Sequence, residues 1–513
     1  MIDINKAKQK ILDLAIRGKL TKQLKSDDKA ADLIFDIQKE KEKQNIGARK
    51  TRPYTVGASC ASPNADNDSE MPFEIPGNWA WCKLGEVTAI ERGGSPRPIK
   101  AFITSDENGT NWIKIGDVEK NGKYITKVKE KIIKDGEKHS RKVFPGDFLL
   151  TNSMSFGRPY ISKIEGCIHD GWLVIRGNDN IYTSEYLYYY LSSAFAFNQF
   201  SESASGATVD NLSIDKVKSS WFSLPPLAEQ KRIVEKVDKL FEILDKINEA
   251  QKKYQKDKDI LKSKIIEAGI RGKLTKQLKS DGDAKDLYDK IQKEKEKLIK
   301  EGKIKRDKKE TYIYKKSSDK LYYEKYQDGT EKCINDELPF KISENWTWAK
   351  FSNVCDIATG TSIPKKVKDD KYLGLNKGYC YLGTKDVGFD HKIIYENSVK
   401  IPKGEKGFEI APENSVLLCI EGGSAGRKIG IIDRDVCYGN KLCKFYSHSL
   451  NQRYIYYFLQ SDTFKSIFKN NLTGLIEGVS ISSINNLLIP LPPMKEQERI
   501  AKVIEKILSI INN

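Results

Sequence analysis

Apolar residues at Ile233, Val237, Leu240, Leu244 and Ile247 alternate spacings of four and three behind the pair Pro225-Pro226, which predicts one long helix through the middle of the chain. The stripe continues with interruptions through Tyr254, Leu261 and Ile265, while Gln251 and Lys258 fall on it as tolerated wet positions. At the rise of an α-helix, Leu227 to Ala268 spans roughly 60 Å. Ile500, Ile504, Ile507 and Ile511 repeat the pattern near the end of the chain, and Ile11, Leu12 and Leu14 contribute a shorter stripe near its start. Each stripe needs a partner, and the other copy is the obvious one.

Between the helical stretches lie two blocks, from about Met71 to Leu224 and from about Leu338 to Leu491. Both contain short strand-like runs punctuated by glycines: Trp112 to Ile115, Asp147 to Leu150 and Trp172 to Ile175, then Val416 to Ile420 and Lys428 to Ile432. One helix is expected near the end of each block, at Tyr186 to Leu191 and Tyr454 to Leu459. Polar, loop-like approaches precede them, at Ala58 to Glu70 and Lys315 to Asp336. Each block reads as a compact α+β domain.

The chain is internally duplicated at two offsets. Ile16 through Asp27 recurs unchanged 254 residues later as Ile270 through Asp281, and Ile37 through Lys43 recurs as Ile291 through Lys297. At an offset of 267, Trp79 and Trp81 answer Trp346 and Trp348, and Leu224-Pro225-Pro226 with Glu229-Gln230 answers Leu491-Pro492-Pro493 with Glu496-Gln497. The two offsets together exceed the 513 residues present by about eight, as in a ring of two repeats opened within one helix. The two termini together therefore imitate the middle.

The first block leaves the C-terminal end of the N-terminal helix and returns at the N-terminal end of the central one, so these helices should pair antiparallel. The expected fold class is α+β: two globular α/β-mixed domains separated by a long antiparallel two-helix coiled coil, pseudo-twofold and dumbbell-shaped. The segments are 1–45 (N-terminal helical), 46–223 (first domain), 224–300 (central region with the long helix), 301–490 (second domain) and 491–513 (C-terminal helix).

A formal charge of +17 favours an anionic partner, although solvated Glu/Lys faces such as Lys39 to Lys43 account for part of it. Nine cysteines include no CxxC pair, and the four histidines (His139, His169, His391, His448) are far apart, so neither a zinc site nor a disulfide framework is indicated. No charged leader with an apolar core begins the chain and no apolar run reaches membrane-spanning length, which makes a cytoplasmic location the expectation.

Corresponding polar loops stand beside the strands. The first block offers Ser95 and Arg97 after Gly93-Gly94, Lys114, and Asn152, Ser153, Ser155 and Arg158; the second offers Thr361, Ser362 and Lys365, Lys385, and Ser424, Arg427 and Lys428. Glycine lets backbone approach phosphate, arginine engages phosphate or a guanine edge with two bonds, and asparagine reads adenine similarly, so these are candidate DNA contacts. An ordinary turn with solvated side chains is the bland reading of each. The paired tryptophans read as packing residues. Outer apolar positions Val234, Phe241 and Ile243 look surplus to a two-helix seam and are candidate partner contacts. There is no GxxxxGK[ST] loop and no amino-methyltransferase Pro-Pro tetrapeptide, and Asp147, Glu165 and Lys163 imitate a metal-nuclease set in composition alone.

The Ile-Arg-Gly-Lys-Leu-Thr signature after a short helix, the entry PFEIPGNWAWCKLGEV and the exit SLPPLAEQKRIVEKVDKLF resemble specificity subunits of type I restriction-modification enzymes, and the resemblance spans essentially the whole chain. It implies two target-recognition domains held apart by helices, no catalytic activity in this chain, and a bipartite DNA target. A rod roughly 60 Å long tilted across the duplex suits half-sites about one helical turn, near 34 Å, apart, and the unlike loops of the two blocks make the expected target asymmetric. The implied partners are double-stranded DNA, two modification subunits and translocase-nuclease subunits. S-adenosylmethionine, ATP and Mg2+ would belong to those partners. A coiled-coil scaffold without sequence-specific DNA binding is the competing reading.

Overall fold

The computed structural model describes residues 1–35, 71–119, 122–153, 156–177, 180–202, 212–301, 310–396, 399–474 and 477–512. The expected features at Ile37 to Lys43, Ala58 to Glu70 and Ser155 lie outside them. The chain divides into two compact units, residues 1–253 and 254–513. One helix, Leu227–Ile270, runs from the first unit into the second and at 44 residues is about 66 Å long.

In the first unit, helix Ile4–Ile16 starts at Asp3, whose carboxylate accepts from the Lys6 N–H. It lies antiparallel to the first half of the long helix: Ile2 exchanges hydrogen bonds with the Gln251 side chain, Lys8 pairs with Asp245, and Thr21, beyond the helix end, reaches Glu229. Gly18, at φ 67°, closes the helix in a left-handed conformation, with the Lys19 N–H bonded back to the Leu14 carbonyl. In the second unit, helix Met494–Asn512 lies antiparallel to the end of the long helix, with Ile504 and Ile500 against Gly269 and Glu496 reaching Thr275 and Gln277.

The repeated motifs are explained by a junction that occurs once in each unit. Glu229, fully buried, accepts from Thr21 Oγ1 (2.9 Å), Gln23 Nε2 (2.8 Å) and Trp79 Nε1 (2.8 Å). Glu496, equally buried, accepts from Thr275 (3.0 Å), Gln277 (2.9 Å) and Trp346 (2.9 Å). The next residue ties the domain to the helix: Gln230 accepts from the Thr183 N–H and donates to the Ile181 and Pro225 carbonyls, and Gln497 accepts from the Asn451 N–H and donates to Pro492. Arg232 holds Asp27 with two bonds, as Arg499 holds Asp281. In both pairs the arginine's hydrogen bonds hold the carboxyl below its ordinary range. All four tryptophans at the block entries are buried, as packing requires.

Among the described residues the two blocks share a four-strand order in each of two sheets, and the first block adds an edge strand to both. The first unit has a sheet in the order Thr88–Arg92, Trp172–Gly177, Phe148–Thr151, Pro159–Ser162, Tyr124–Ile125, and a second in the order Ile103–Thr104, Glu130–Ile132, Thr110–Ile113, Gly166–Ile168, Arg141–Val143. The second unit matches them with Asp356–Thr359, Leu442–Tyr446, Val416–Cys419, Ile429–Ile431, and with Lys400–Ile401, Tyr379–Leu382, Val436–Tyr438, Ile410–Ala411. It adds a three-stranded sheet, Tyr312–Lys315, Tyr322–Lys325, Glu331–Cys333. Two-stranded pairs, Ala80–Lys83 with Trp221–Leu224 and Thr347–Lys350 with Leu488–Leu491, close each block at its helical junction.

Two expectations require correction. After the anticipated helices (Ser184–Leu191 and Gln452–Phe458) come further ones, Ala194–Glu202 and Asp462–Asn470. Tyr254 and Leu261 are exposed rather than on the seam. A straight α-helix drifts about 20° per heptad from a seven-residue repeat, so positions carried forward in sevens rotate off the contact face. The carboxylates of the imitation nuclease set are engaged separately, Asp147 with Arg176 and Glu165 with Lys142.

Candidate nucleic-acid interface

In the first block the loops after three strands meet at Asp170. The Ser95 hydroxyl donates to its carboxylate at 2.8 Å, and Arg92 Nε and Asn152 Nδ2 donate to its carbonyl at 3.0 and 2.9 Å. Arg97, largely exposed, places Nη2 3.5 Å from the same carboxylate. Burial works to raise the Asp170 carboxyl, but the Ser95 bond, its own backbone and His169 outweigh it and leave it lowered. Gly93 permits the convergence, because a Cβ there would stand 2.1 Å from the His169 carbonyl oxygen. The loops border a cleft of about 730 Å³ lined by Ser95, Arg97, Lys100, Lys114, Glu130 and His169.

Ser95, Arg97 and Lys114 are thus brought together, with Lys114 ion-paired to Glu130. Asn152 is not an available base reader: it is 1% exposed and its amide is spent on the Asp170 carbonyl. Ser153 is half-buried next to it. Arg158 bonds through its N–H to Thr151 Oγ1 and does not line the cleft, because the chain around it folds toward helix Ala194–Glu202, where Phe156 stacks on Phe197. Lys100 was missed by sequence reasoning; its only signal was its place after Arg97.

The second block repeats the glycine device: a Cβ on Gly360 would stand 1.9 Å from the Tyr438 carbonyl oxygen. Beside it Thr361 donates to the Gly407 carbonyl at 2.8 Å, Ser362 is exposed, and Lys365 opens the lysine-rich helix Lys365–Lys371, also exposed. These three form one group. Lys385, Ser424, Arg427 and Lys428 form another, since Lys428 Nζ donates to the Thr384 carbonyl and the Ser424 carbonyl accepts from the Arg427 N–H. Arg427 lies 4.9 Å and Lys428 5.0 Å from the centroid of the Phe389 ring. Phe389, His391, Arg427, Lys262, Lys465 and Tyr456 line a cleft of about 990 Å³. Burial, with Lys465 and Lys262 nearby, holds the His391 imidazole below its usual pKa. Neither Phe389 nor His391 was singled out from sequence.

The expected partner-binding face is also corrected. Val234 and Phe241 pack against the first unit's core, and Phe241 meets Tyr189 edge-on at 5.7 Å with Lys8 Nζ over its ring. Helix Ser184–Leu191 covers the extra width of the stripe, aided by the Tyr189 hydroxyl bonding to Asp238. Ile243 alone of the three is exposed. Among the described residues no cluster of three His, Cys, Asp or Glu could hold a metal, and no helix is long and apolar enough to cross a membrane.

The family model of the type I restriction modification DNA specificity domain matches twice, over residues 76–255 and 343–513. The type I restriction enzyme EcoAI specificity subunit of Escherichia coli is 22% identical, aligning 99% of this chain with 90% of its own. The EcoEI specificity subunit of Escherichia coli is also 22% identical, over 99% of this chain and 89% of its own. A solved chain, described under complex assembly and conformational transition of the type I R-M system, shares the fold with a TM-score of 0.58 at 19% identity, covering 86% of this chain and 93% of that one.

Proposed function

The chain belongs to the type I restriction modification DNA specificity family, and on that premise we propose that it is the DNA sequence-recognition subunit of such a complex, a non-catalytic chain whose two recognition domains each read half of an interrupted target. The observation that carries this reading is the doubled domain: identical junctions support sheets that share a four-strand order, while the loops that meet at the strand ends differ between copies. Conserving the frame and varying the loops is how one scaffold presents two different reading surfaces. The target is accordingly asymmetric.

Recognition domains 46–223 and 301–490 would be held apart by an antiparallel coiled coil built from 224–300 with 1–45 and 491–513, and the coil would set the gap. Lysines and arginines of the loops supply salt-dependent attraction to phosphate, and side chains on base edges set the sequence. The partners are double-stranded DNA, two modification subunits and the translocase-nuclease subunits. S-adenosylmethionine, ATP and Mg2+ are bound by those partners, and the adenine to be methylated leaves the stack to enter the modification subunit. This chain orients the duplex for that step.

The test is methylation mapping in a host that expresses the chain with its modification partner. One asymmetric, bipartite adenine-methylated sequence is expected. Seven residues inserted after Gln251 should leave both half-sites unchanged and widen the gap by about three base pairs, the roughly 10 Å that seven helical residues add. An assembled complex without site-specific methylation would favour the scaffold reading.

A further inference from the structure

Phe389 is 56% exposed, yet the turn that carries it is braced. The Gly388 N–H donates to the Lys392 carbonyl and the Ile394 N–H to the Asp386 carbonyl, both at 2.8 Å, and Val387 pairs with Ile393 across the turn. His391 holds φ at 68°, a left-handed conformation that strains a non-glycine residue, and its Nδ1 lies 3.0 Å from the Tyr456 hydroxyl. The turn therefore presents the ring outward on a fixed support.

One exposed phenylalanine needs no explanation by itself. This one carries charge: the Arg427 guanidinium and the Lys428 ammonium both lie over the ring, about 5 Å from its centroid. Among the described residues neither cation has a carboxylate within 4 Å; Arg427 is exposed, while the half-buried Lys428 ammonium also donates to the Thr384 carbonyl at 2.8 Å. Arg427 rises from the turn Gly422–Gly426, whose two terminal glycines adopt positive φ. The adjoining cleft is lined by the cations Lys262, Arg427, Lys465 and Lys469 and by the carboxylates Asp259, Asp390, Glu477 and Glu505, so its charges balance and the positive charge is concentrated at the ring itself. An exposed ring with two cations over it that lack carboxylate partners suits DNA, where the free edge of the ring enters between bases and the cations turn to the phosphates beside it, and suits an apolar protein surface poorly.

We propose that Phe389 is a wedge that enters a base step of the half-site read by residues 254–513, with Arg427 and Lys428 on the flanking phosphates. The proposal rests on the DNA-reading function above. It applies to one half-site only: the second block reads Asp386-Val387-Gly388-Phe389 where the first reads Asp117-Val118-Glu119-Lys120. The wedge opens the step it enters, so discrimination at that step comes from the ease of unstacking, greatest at pyrimidine–purine steps.

The experiment uses the complex of the full chain with its modification subunits and duplexes carrying 2-aminopurine at successive positions of both half-sites. With the wild-type chain, emission should rise at one step of the second half-site as its neighbour unstacks. Phe389→Ala should abolish that rise and weaken binding roughly 5- to 100-fold, the range of base–aromatic stacking, and Phe389→Trp should restore both. Arg427→Ala should keep the emission change and lower the salt slope by about one. Unchanged emission and affinity in Phe389→Ala overturns the proposal, as does a Phe389→Ala chain that loses its modification subunits on size exclusion, which would make the ring a protein anchor. If the wild-type complex itself lacks sequence-specific affinity, the DNA-reading function fails rather than the wedge.

Discussion

Replacing Glu229 by alanine should unfasten the first junction and leave the second intact. The Trp79 Nε1–H, inside the core, would lose its acceptor, which costs about 1–3 kcal/mol for an orphaned buried donor. Thr21 and Gln23 lie nearer the surface and would turn to water, losing about 0.5–1.5 kcal/mol each. The total of about 2–6 kcal/mol corresponds to roughly 4–24 °C in the melting of a unit of this size. Glu229→Gln should cost only about 1–2 kcal/mol, because its carbonyl can serve Trp79 while the amide faces a rotated Thr21 hydroxyl and a flipped Gln23. Hydrogen exchange read peptide by peptide during urea unfolding separates the halves. Protection should fall in 1–253 for Glu229→Ala and in 254–513 for Glu496→Ala, with near-equal magnitudes because the bond lengths agree within about 0.1 Å. A loss under about 1 kcal/mol, or equal loss in both halves from one substitution, would refute the reasoning.

Gly18 and Gly272 share a left-handed conformation, but a Cβ would meet Pro76 at 2.3 Å in the first case and Trp346 no nearer than 3.1 Å in the second. Gly272→Ala should therefore cost about 1 kcal/mol and Gly18→Ala clearly more, as compared by thermal melts. Asp27 and Asp281 have folded pKa values depressed below the ordinary 3.8, so their stabilisation is present above that value and is lost as pH falls through the folded ones. Acid titration by circular dichroism should show stability falling below about pH 4, with a flatter profile for Asp27→Asn combined with Asp281→Asn. Ile243→Glu should leave the melting of the chain unchanged and weaken assembly with the modification subunits, whereas Phe241→Glu should destabilise the chain itself; calorimetry and size exclusion distinguish the two.

The long helix, the duplication and five of the strands were legible because each repeats a signal: a four-three spacing, an exact recurrence, or an apolar run between glycines. Helix Ala194–Glu202 was not, because Phe195 and Phe197 alternate with small residues and imitate a strand. Among the candidate loops, residue type was readable and direction was not. Asn152 has the chemistry of an adenine reader but turns inward to a carbonyl, while Phe389 has the chemistry of a core residue and is held outward. The choice depends on which backbone groups each loop must satisfy, and those belong to strands distant in sequence. The width of the apolar stripe at Val234 and Phe241 was read correctly and its occupant was not, because a helix of the chain's own domain competes for that face.

The two clefts show why the duplicated frame yields unlike surfaces. Gly93 and Gly360, 267 residues apart, solve the same steric problem against a carbonyl of the crossing strand end, so the backbone path is shared. What lies beyond it differs. In the first block Arg97 faces Asp170 and Lys114 faces Glu130, so each of these two cations has a carboxylate of its own domain beside it. In the second, Arg427 and Lys428 lie over an aromatic ring and, among the described residues, have no such carboxylate. Internal carboxylates make a cation compete with its own partner before it can meet phosphate, which lowers its contribution to general attraction and leaves geometry to decide the contact. On the DNA-reading function proposed above, the second surface would supply more of the attraction to a duplex and the first more of the discrimination by orientation, an inequality that arises from four side chains on an otherwise repeated scaffold.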